Sequence, residues 1–141
     1  MSSQDCLHAS AVAVNNRGLL ILGPSGGGKS SLALQLMAMG ATLIADDKTH
    51  VTVRADQVWL SAPDAISGLI EARGVGLLTA TPTQAPLFLV VDLEVPETQR
   101  LPERHEKDVL GHVFPCLHKM DTPAFPAAIM QYLKAGRRDP G

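Results

Sequence analysis

Leu19-Leu20-Ile21-Leu22-Gly23-Pro24-Ser25-Gly26-Gly27-Gly28-Lys29-Ser30 is an apolar run that meets a glycine-rich turn ending in Gly-Lys-Ser. It fits the phosphate-binding loop pattern G-x-x-x-x-G-K-[ST]. Such a loop must curl so that successive N–H groups point inward at phosphate oxygens, and side chains at Gly26, Gly27 or Gly28 would obstruct that curl. Lys29 then places a point charge on the β- and γ-phosphates. The Ser30 hydroxyl is the expected first ligand of Mg²⁺, and the helix opening there adds its positive end to the anion site. Context decides the pattern's worth. Upstream, four consecutive apolar residues read as a buried strand; downstream, Leu32, Ala33, Leu36 and Met37 recur at helical spacing as far as Gly40, a natural C-terminal cap. A glycine-rich linker would not be bracketed by two core-facing elements.

The 141 residues, 45% of them hydrophobic, predict one domain over 1–141 with 136–141 as a frayed tail. A net charge of −2 with no basic run gives no reason to expect nucleic acid or membrane as a partner. Cys6 and Cys116 have no metal-type spacing and read as reduced thiols. The N-terminus lacks the charged start and apolar core of a signal peptide, so a cytoplasmic protein is expected.

Leu7 to Val14, the turn formers Asn15 to Gly18 and the strand into the loop predict a hairpin. A short run, Ala41 to Ala45, ends in Asp46-Asp47; a second hairpin is expected over Val51–Val53 and Val58–Leu60. A helix is predicted from Pro63-Asp64 to about Ala72, broken by Gly74-Val75-Gly76. Leu87 to Val91 is the strongest strand signal, Glu94 to Lys107 reads as an exposed loop, Val109–Phe114 and Leu117–Met120 as short strands, and a last helix should end near Ala135. Hairpins on both sides of the loop unit argue for a mixed rather than a purely parallel sheet.

Carboxylates at the C-terminal end of a strand lie where ligands gather in such sheets. Of Asp46 and Asp47, one could hold the metal shell while the other accepts a proton from an attacking hydroxyl; a solvated turn is the bland reading. Asp92, after Leu87 to Val91, has the form of a Walker B acid too, and spacing does not choose between them. Glu71 and Arg73 sit at the expected helix end, where they are either aimed at a ligand or form a solvated pair. A lone His8 is usually structural, and His105, His112 and His118 lack zinc-ligand spacing. Met37 reads as core filling.

Three segments, in order, carry a resemblance: Gly23 to Ser30 with Ala33-Leu34; Gly40-Ala41-Thr42-Leu43-Ile44-Ala45-Asp46-Asp47; and Ile70-Glu71-Ala72-Arg73-Gly74-Val75-Gly76-Leu77-Leu78. Together they resemble the C-terminal catalytic domain of HPr kinase/phosphorylase, which phosphorylates a seryl residue of the phosphocarrier HPr and can reverse the reaction with inorganic phosphate. The resemblance implies an α/β P-loop domain of the HPr kinase and phosphoenolpyruvate carboxykinase type, with a mixed sheet. It implies ATP and Mg²⁺ as cofactors, bound through Gly23, Pro24, Ser25, Gly26, Gly27, Gly28, Lys29, Ser30 and Ser31. Ser30 and Glu71 become magnesium ligands. Asp46 becomes the general base with Asp47 beside it, His8 the family histidine near that aspartate, and Arg73 the group approaching the transferred phosphoryl. Leu43 to Asp47 is then the Walker B element and Asp92 a decoy.

An HPr-like carrier of the phosphotransferase system and a homo-oligomer, hexameric in the long enzymes, are implied as partners. The chain is like the short form of α-proteobacteria, without the long members' N-terminal domain. Where the family carries Arg-Pro-Gly-Arg-Asn, the chain has Arg100-Leu101-Pro102-Glu103-Arg104. Two other functions compete: a small-molecule kinase, which needs an arginine-rich lid that this sequence lacks, and a nucleotide-binding regulator that has lost transfer.

Overall fold

The computed structural model describes residues 4–138. In chain order, β1 (Gln4–Leu7), β2 (Ala9–Val14) and β3 (Arg17–Leu22) lead into α1 (Lys29–Ala38). β4 (Thr42–Ala45), β5 (Thr49–Arg54) and β6 (Gln57–Ser61) follow, then a 3₁₀ turn over Asp64–Ile66 and a small hairpin, β7 (Leu69–Ala72) and β8 (Gly76–Thr79). The second half holds β9 (Ala85–Pro96), β10 (His105–Val109), β11 (His112–Lys119) and α2 (Phe125–Ala135).

The main sheet runs β1-β5-β6-β9-β3-β2-β4, with β11 also on β9 and β10 on β11. β3 and β11 pair with β9 in parallel, and the other pairings are antiparallel, so the sheet is mixed, as the hairpins predicted. Three of the hairpins turn through two residues at positive φ: Asn15-Asn16 (51° and 61°), Ala55-Asp56 (48° and 63°) and Leu110-Gly111 (51° and 82°). These match the right-handed twist of the flanking strands.

β2 and β3 are apolar on both faces because both faces are covered. Leu19, Ile21, Leu89 and Val91 face Leu32 and Leu36 of α1 and Ile129 and Leu133 of α2. Leu20 and Val90 point the other way, into a cluster with Val51, Val58 and Leu60 that the curl of the sheet supplies. Arg17 ties the last helix down by donating to the Leu133 carbonyl (2.9 Å) while its guanidinium lies over Phe88. Met37 packs against the core, as expected, whereas Met39 is exposed.

Three expectations fail. The helix predicted from Pro63 to Ala72 is only the short 3₁₀ turn, and Leu69–Ala72 is a strand paired with Gly76–Thr79. The cause is Gly68: its φ is 77°, and a Cβ there would lie 2.8 Å from the Ala80 carbonyl oxygen. The chain reverses at that point and a helix cannot continue through it. Second, the supposed loop from Glu94 begins inside β9, which runs on to Pro96, and ends inside β10, which starts at His105. Third, the turn expected near Pro115 falls at Leu110-Gly111, leaving β11 continuous from His112 to Lys119. Gly136 to Arg138 of the expected frayed tail are described, with Arg137 donating to the Pro102 carbonyl; Asp139 to Gly141 lie outside the described residues.

Candidate active site

The loop between β3 and α1 has the shape its glycines require. Gly27 N donates to the Pro24 carbonyl (2.9 Å), and a Cβ on Gly27 would lie 2.8 Å from that same oxygen. Gly28, at φ 95°, is the N-cap of α1, with no side chain bonded to the first turn and no acidic residue in it. The first amides of this helix are therefore left as donors at the positive end of its dipole, a ready anion site. Lys29 is buried, and its ammonium donates to the Gly23 (2.9 Å) and Pro24 (3.0 Å) carbonyls across the loop. An ammonium has three donors, so one remains.

Asp46 is where three segments meet. It is buried, and its Oδ1 accepts from Ser30 Oγ (2.6 Å) and Ser10 Oγ (2.9 Å) while Oδ2 accepts from the Glu71 amide (3.0 Å). A single carboxylate at the end of β4 thus joins the loop serine, β2 and β7. A carboxylate offers about four acceptor positions, and three are filled, which leaves one on Oδ2. Of the two acids that spacing left open, Asp46 is the one that lies against the loop serine, the position a Walker B acid takes. Asp92, although beside Leu22 in the sheet, instead accepts from the Glu94 amide (3.0 Å) and lies 3.8 Å from Lys107 Nζ.

Asp47 takes φ 68° and is exposed, with its amide donating to Ser10 Oγ (3.2 Å). His8 is the residue at which the chain passes from β1, paired with β5, to β2, paired with β3 and β4. That change of partner brings its Nε2 to 3.1 Å from Ser25 Oγ and 3.5 Å from Asp47 Oδ1. His8 thus touches both the loop and the acid pair.

Glu71 and Arg73 lie on β7 and its glycine turn rather than at a helix end. Arg73 Nη2 is 3.5 Å from where a Cβ of Gly26 would stand, so the guanidinium overhangs the loop. Lys29, Ser30, Asp46, Asp47, Glu71 and Arg73 line one cleft of about 570 Å³, together with Ser25, Gly26, Gly28 and Ser31. Sequence reasoning missed Ser10. Its signal is a lone hydroxyl in the apolar strand Ala9–Val14, where a buried polar group requires a partner.

A glycine loop at the N-terminus of a helix, a buried acid on the loop serine and a mixed sheet define a P-loop kinase-like domain. The model of the HPr Serine kinase C-terminal domain matches residues 1–108, and the chain belongs to that family. Its relatives include the HPr kinase/phosphorylases of Stenotrophomonas maltophilia (strain K279a) and Xanthomonas campestris pv. campestris (strain B100). Each is 34% identical over 110 residues, covering 72% of this chain and 35% of the relative. The chain thus spans about a third of the length of these curated relatives. The solved structure of the Hpr(Ser) kinase/phosphatase from Coxiella burnetii superimposes with a TM-score of 0.79 at 25% identity, over 92% of this chain and 88% of that one. No helix among the described residues is long and apolar enough to cross a membrane.

Proposed function

We propose that this chain is a catalytic domain transferring the γ-phosphoryl of ATP to a seryl hydroxyl of a small HPr-like phosphocarrier of the phosphotransferase system, in the cytoplasm and as a homo-oligomer. The observation that carries the reading is the convergence of loop, acid pair and β7 on Asp46. The site residues fit the groups required. A Cβ would fill the Gly27 cradle, α1 offers uncapped amides, and Ser30, Asp46 and Glu71 form a set of hard oxygen donors suited to Mg²⁺ rather than to a softer metal.

Ser30 and Glu71 would hold Mg²⁺, with Asp46 behind Ser30; when bound, the ion offsets negative charge on the β- and γ-phosphates. Lys29 and the α1 amides bind the phosphate chain. Asp46, through its remaining acceptor position on Oδ2, takes the proton of the incoming serine hydroxyl and can return it in the reverse direction. Arg73, overhanging Gly26, steadies charge on the transferred group. His8 orients Ser25 and Asp47 at the mouth of the cleft.

The test is incubation of the purified protein with γ-labelled ATP and an HPr-like carrier, with label expected on a seryl residue of the carrier. Nucleotide binding without transfer to any acceptor would make the domain a regulator, and label in a small molecule would make it a metabolite kinase. Within the kinase reading, Glu71→Gln should raise the Mg²⁺ concentration needed for half-maximal rate by about tenfold with ATP binding little changed, because an amide is a weaker ligand than a carboxylate for a hard cation. An unchanged Mg²⁺ dependence removes Glu71 from the ligand set.

A further inference from the structure

Away from the P-loop, the structure assembles a group that linear spacing hid. Parallel pairing of β11 with β9 runs Cys116 to Val90, Leu117 to Val91 and His118 to Asp92, then jumps so that Lys119 meets Pro96. Beyond this shift the Glu97 amide donates to the Lys119 carbonyl (2.7 Å). Glu97 is thereby delivered to the strand that carries His118, while β10, paired with β11, begins at His105. The two imidazole rings stack at 3.8 Å with their planes 9° apart. One ligand atom from each of Glu97, His105 and His118 lies within 4.8 Å of the other two.

We propose that Glu97, His105 and His118 form a site for a divalent first-row transition cation of the Zn²⁺ class, separate from the Mg²⁺ expected at the P-loop. Two imidazole nitrogens and one carboxylate oxygen select Zn²⁺, Co²⁺ or Ni²⁺ over Mg²⁺ and Ca²⁺, which take oxygen donors. The carboxylate is held as a ligand must be. Its Oε2 accepts from the Thr98 (2.9 Å) and Gln99 (3.0 Å) amides, which leaves Oε1 facing His105 Nε2 at 2.8 Å. Such supporting bonds orient the carboxylates and imidazoles of metal centres. Tetrahedral ligands about 2.0–2.1 Å from zinc stand roughly 3.3 Å apart, and because an imidazole lone pair lies in its ring plane, the two rings must turn out of their parallel stack to aim both nitrogens at one ion.

Three protein ligands leave a coordination position open, and all three residues line a cleft of about 690 Å³ against α2. Arg100, Arg137 and Arg138 line the same cleft. Their charge opposes a bare dication and favours one whose open position carries an anionic donor.

The experiment is calorimetric titration of Zn²⁺ alone into the chelator-stripped chain with Mg²⁺ in excess, repeated with Co²⁺ to read the visible absorption of a four-coordinate ion. Wild type should bind one equivalent. His118→Gln, His105→Gln and Glu97→Gln should each weaken binding at least about tenfold, the smaller loss usual for removing even an outer partner, whereas His8→Gln and His112→Gln should not. Melting curves identify which variants fold, and any one folded variant of the three carries the test. Absence of a saturable equivalent in wild type overturns the proposal, as does full affinity in a folded ligand variant.

Discussion

An Asp46→Asn chain should transfer phosphoryl about 10²–10⁴-fold more slowly than wild type, the range expected on losing a general base, with ATP affinity largely kept. The hydrogen-bond pattern shows why shape and chemistry separate at this position. The Glu71 amide can only donate, so the asparagine must turn its oxygen toward Glu71 and its NH₂ toward Ser10 and Ser30. Hydroxyls accept as readily as they donate, so the network closes again at a cost of about 1 kcal/mol or less. The proton acceptor of the proposed mechanism, however, is gone. Asp46→Ala takes the acceptor from the part-buried Glu71 amide and should destabilise by about 1 kcal/mol besides. Forward transfer, phosphate-dependent dephosphorylation of the carrier and thermal stability, measured on Asp46→Asn, test the assignment together. If the same carboxyl returns the proton in any phosphate-dependent dephosphorylation, that rate falls with the forward one. A loss of less than about tenfold in rate removes Asp46 from the chemistry.

Lys29→Ala should abolish measurable transfer, with a loss of about 10³-fold or more from removing a preorganised cation beside developing phosphate charge. The fold should survive, because the strand before the loop and the helix after it are held by Leu19, Ile21, Leu32 and Leu36 in the core and not by the ammonium. What the loop loses is the clasp from Lys29 to the Gly23 and Pro24 carbonyls, so the loop itself should become more open to proteolysis. Lys29→Arg is no rescue, since a planar fork cannot take the place of a compact ammonium in so tight a turn. Turnover assays with circular dichroism on the same sample check the prediction. Near-wild-type turnover in folded Lys29→Ala would falsify the P-loop reading.

The sequence was most informative where local chemistry and tertiary demand coincide. The apolar run before Gly23, the helical spacing from Leu32 to Met37 and the Asn15-Asn16 turn each specify one structure on their own, and all three stand. The Pro63–Ala72 segment failed because Ala65, Ile66, Leu69 and Ile70 satisfy a helical stripe as well as a strand, and only Gly68, packed on the Ala80 carbonyl, tells them apart. The Leu110-Gly111 turn was hidden because leucine rarely takes φ 51°; Asp108, accepting from the Gly111 amide, helps to hold it. In the site, residues close in sequence to the loop were legible, but the role of Asp46 as a three-way junction depends on Ser10 and Glu71, which reach it from separate strands. The Glu97, His105 and His118 group was illegible for the same reason in stronger form: it is made by a register jump, and register is a property of pairing.

The pairing of β3 with β9 has a consequence for the order in which this molecule can be made. Leu20 finds its parallel neighbour in Val90, so the strand that aims the glycine loop stays unpaired on one side until most of the chain has left the ribosome. Such distant pairing is slow to form, and until then the β2–β3 hairpin presents a bare, strongly apolar edge to anything nearby. A nascent chain halted before Ala85 would carry the whole glycine motif on β3 as the bare edge of a β3-β2-β4 sheet, and it would be a substrate for chaperones rather than a binder of phosphate.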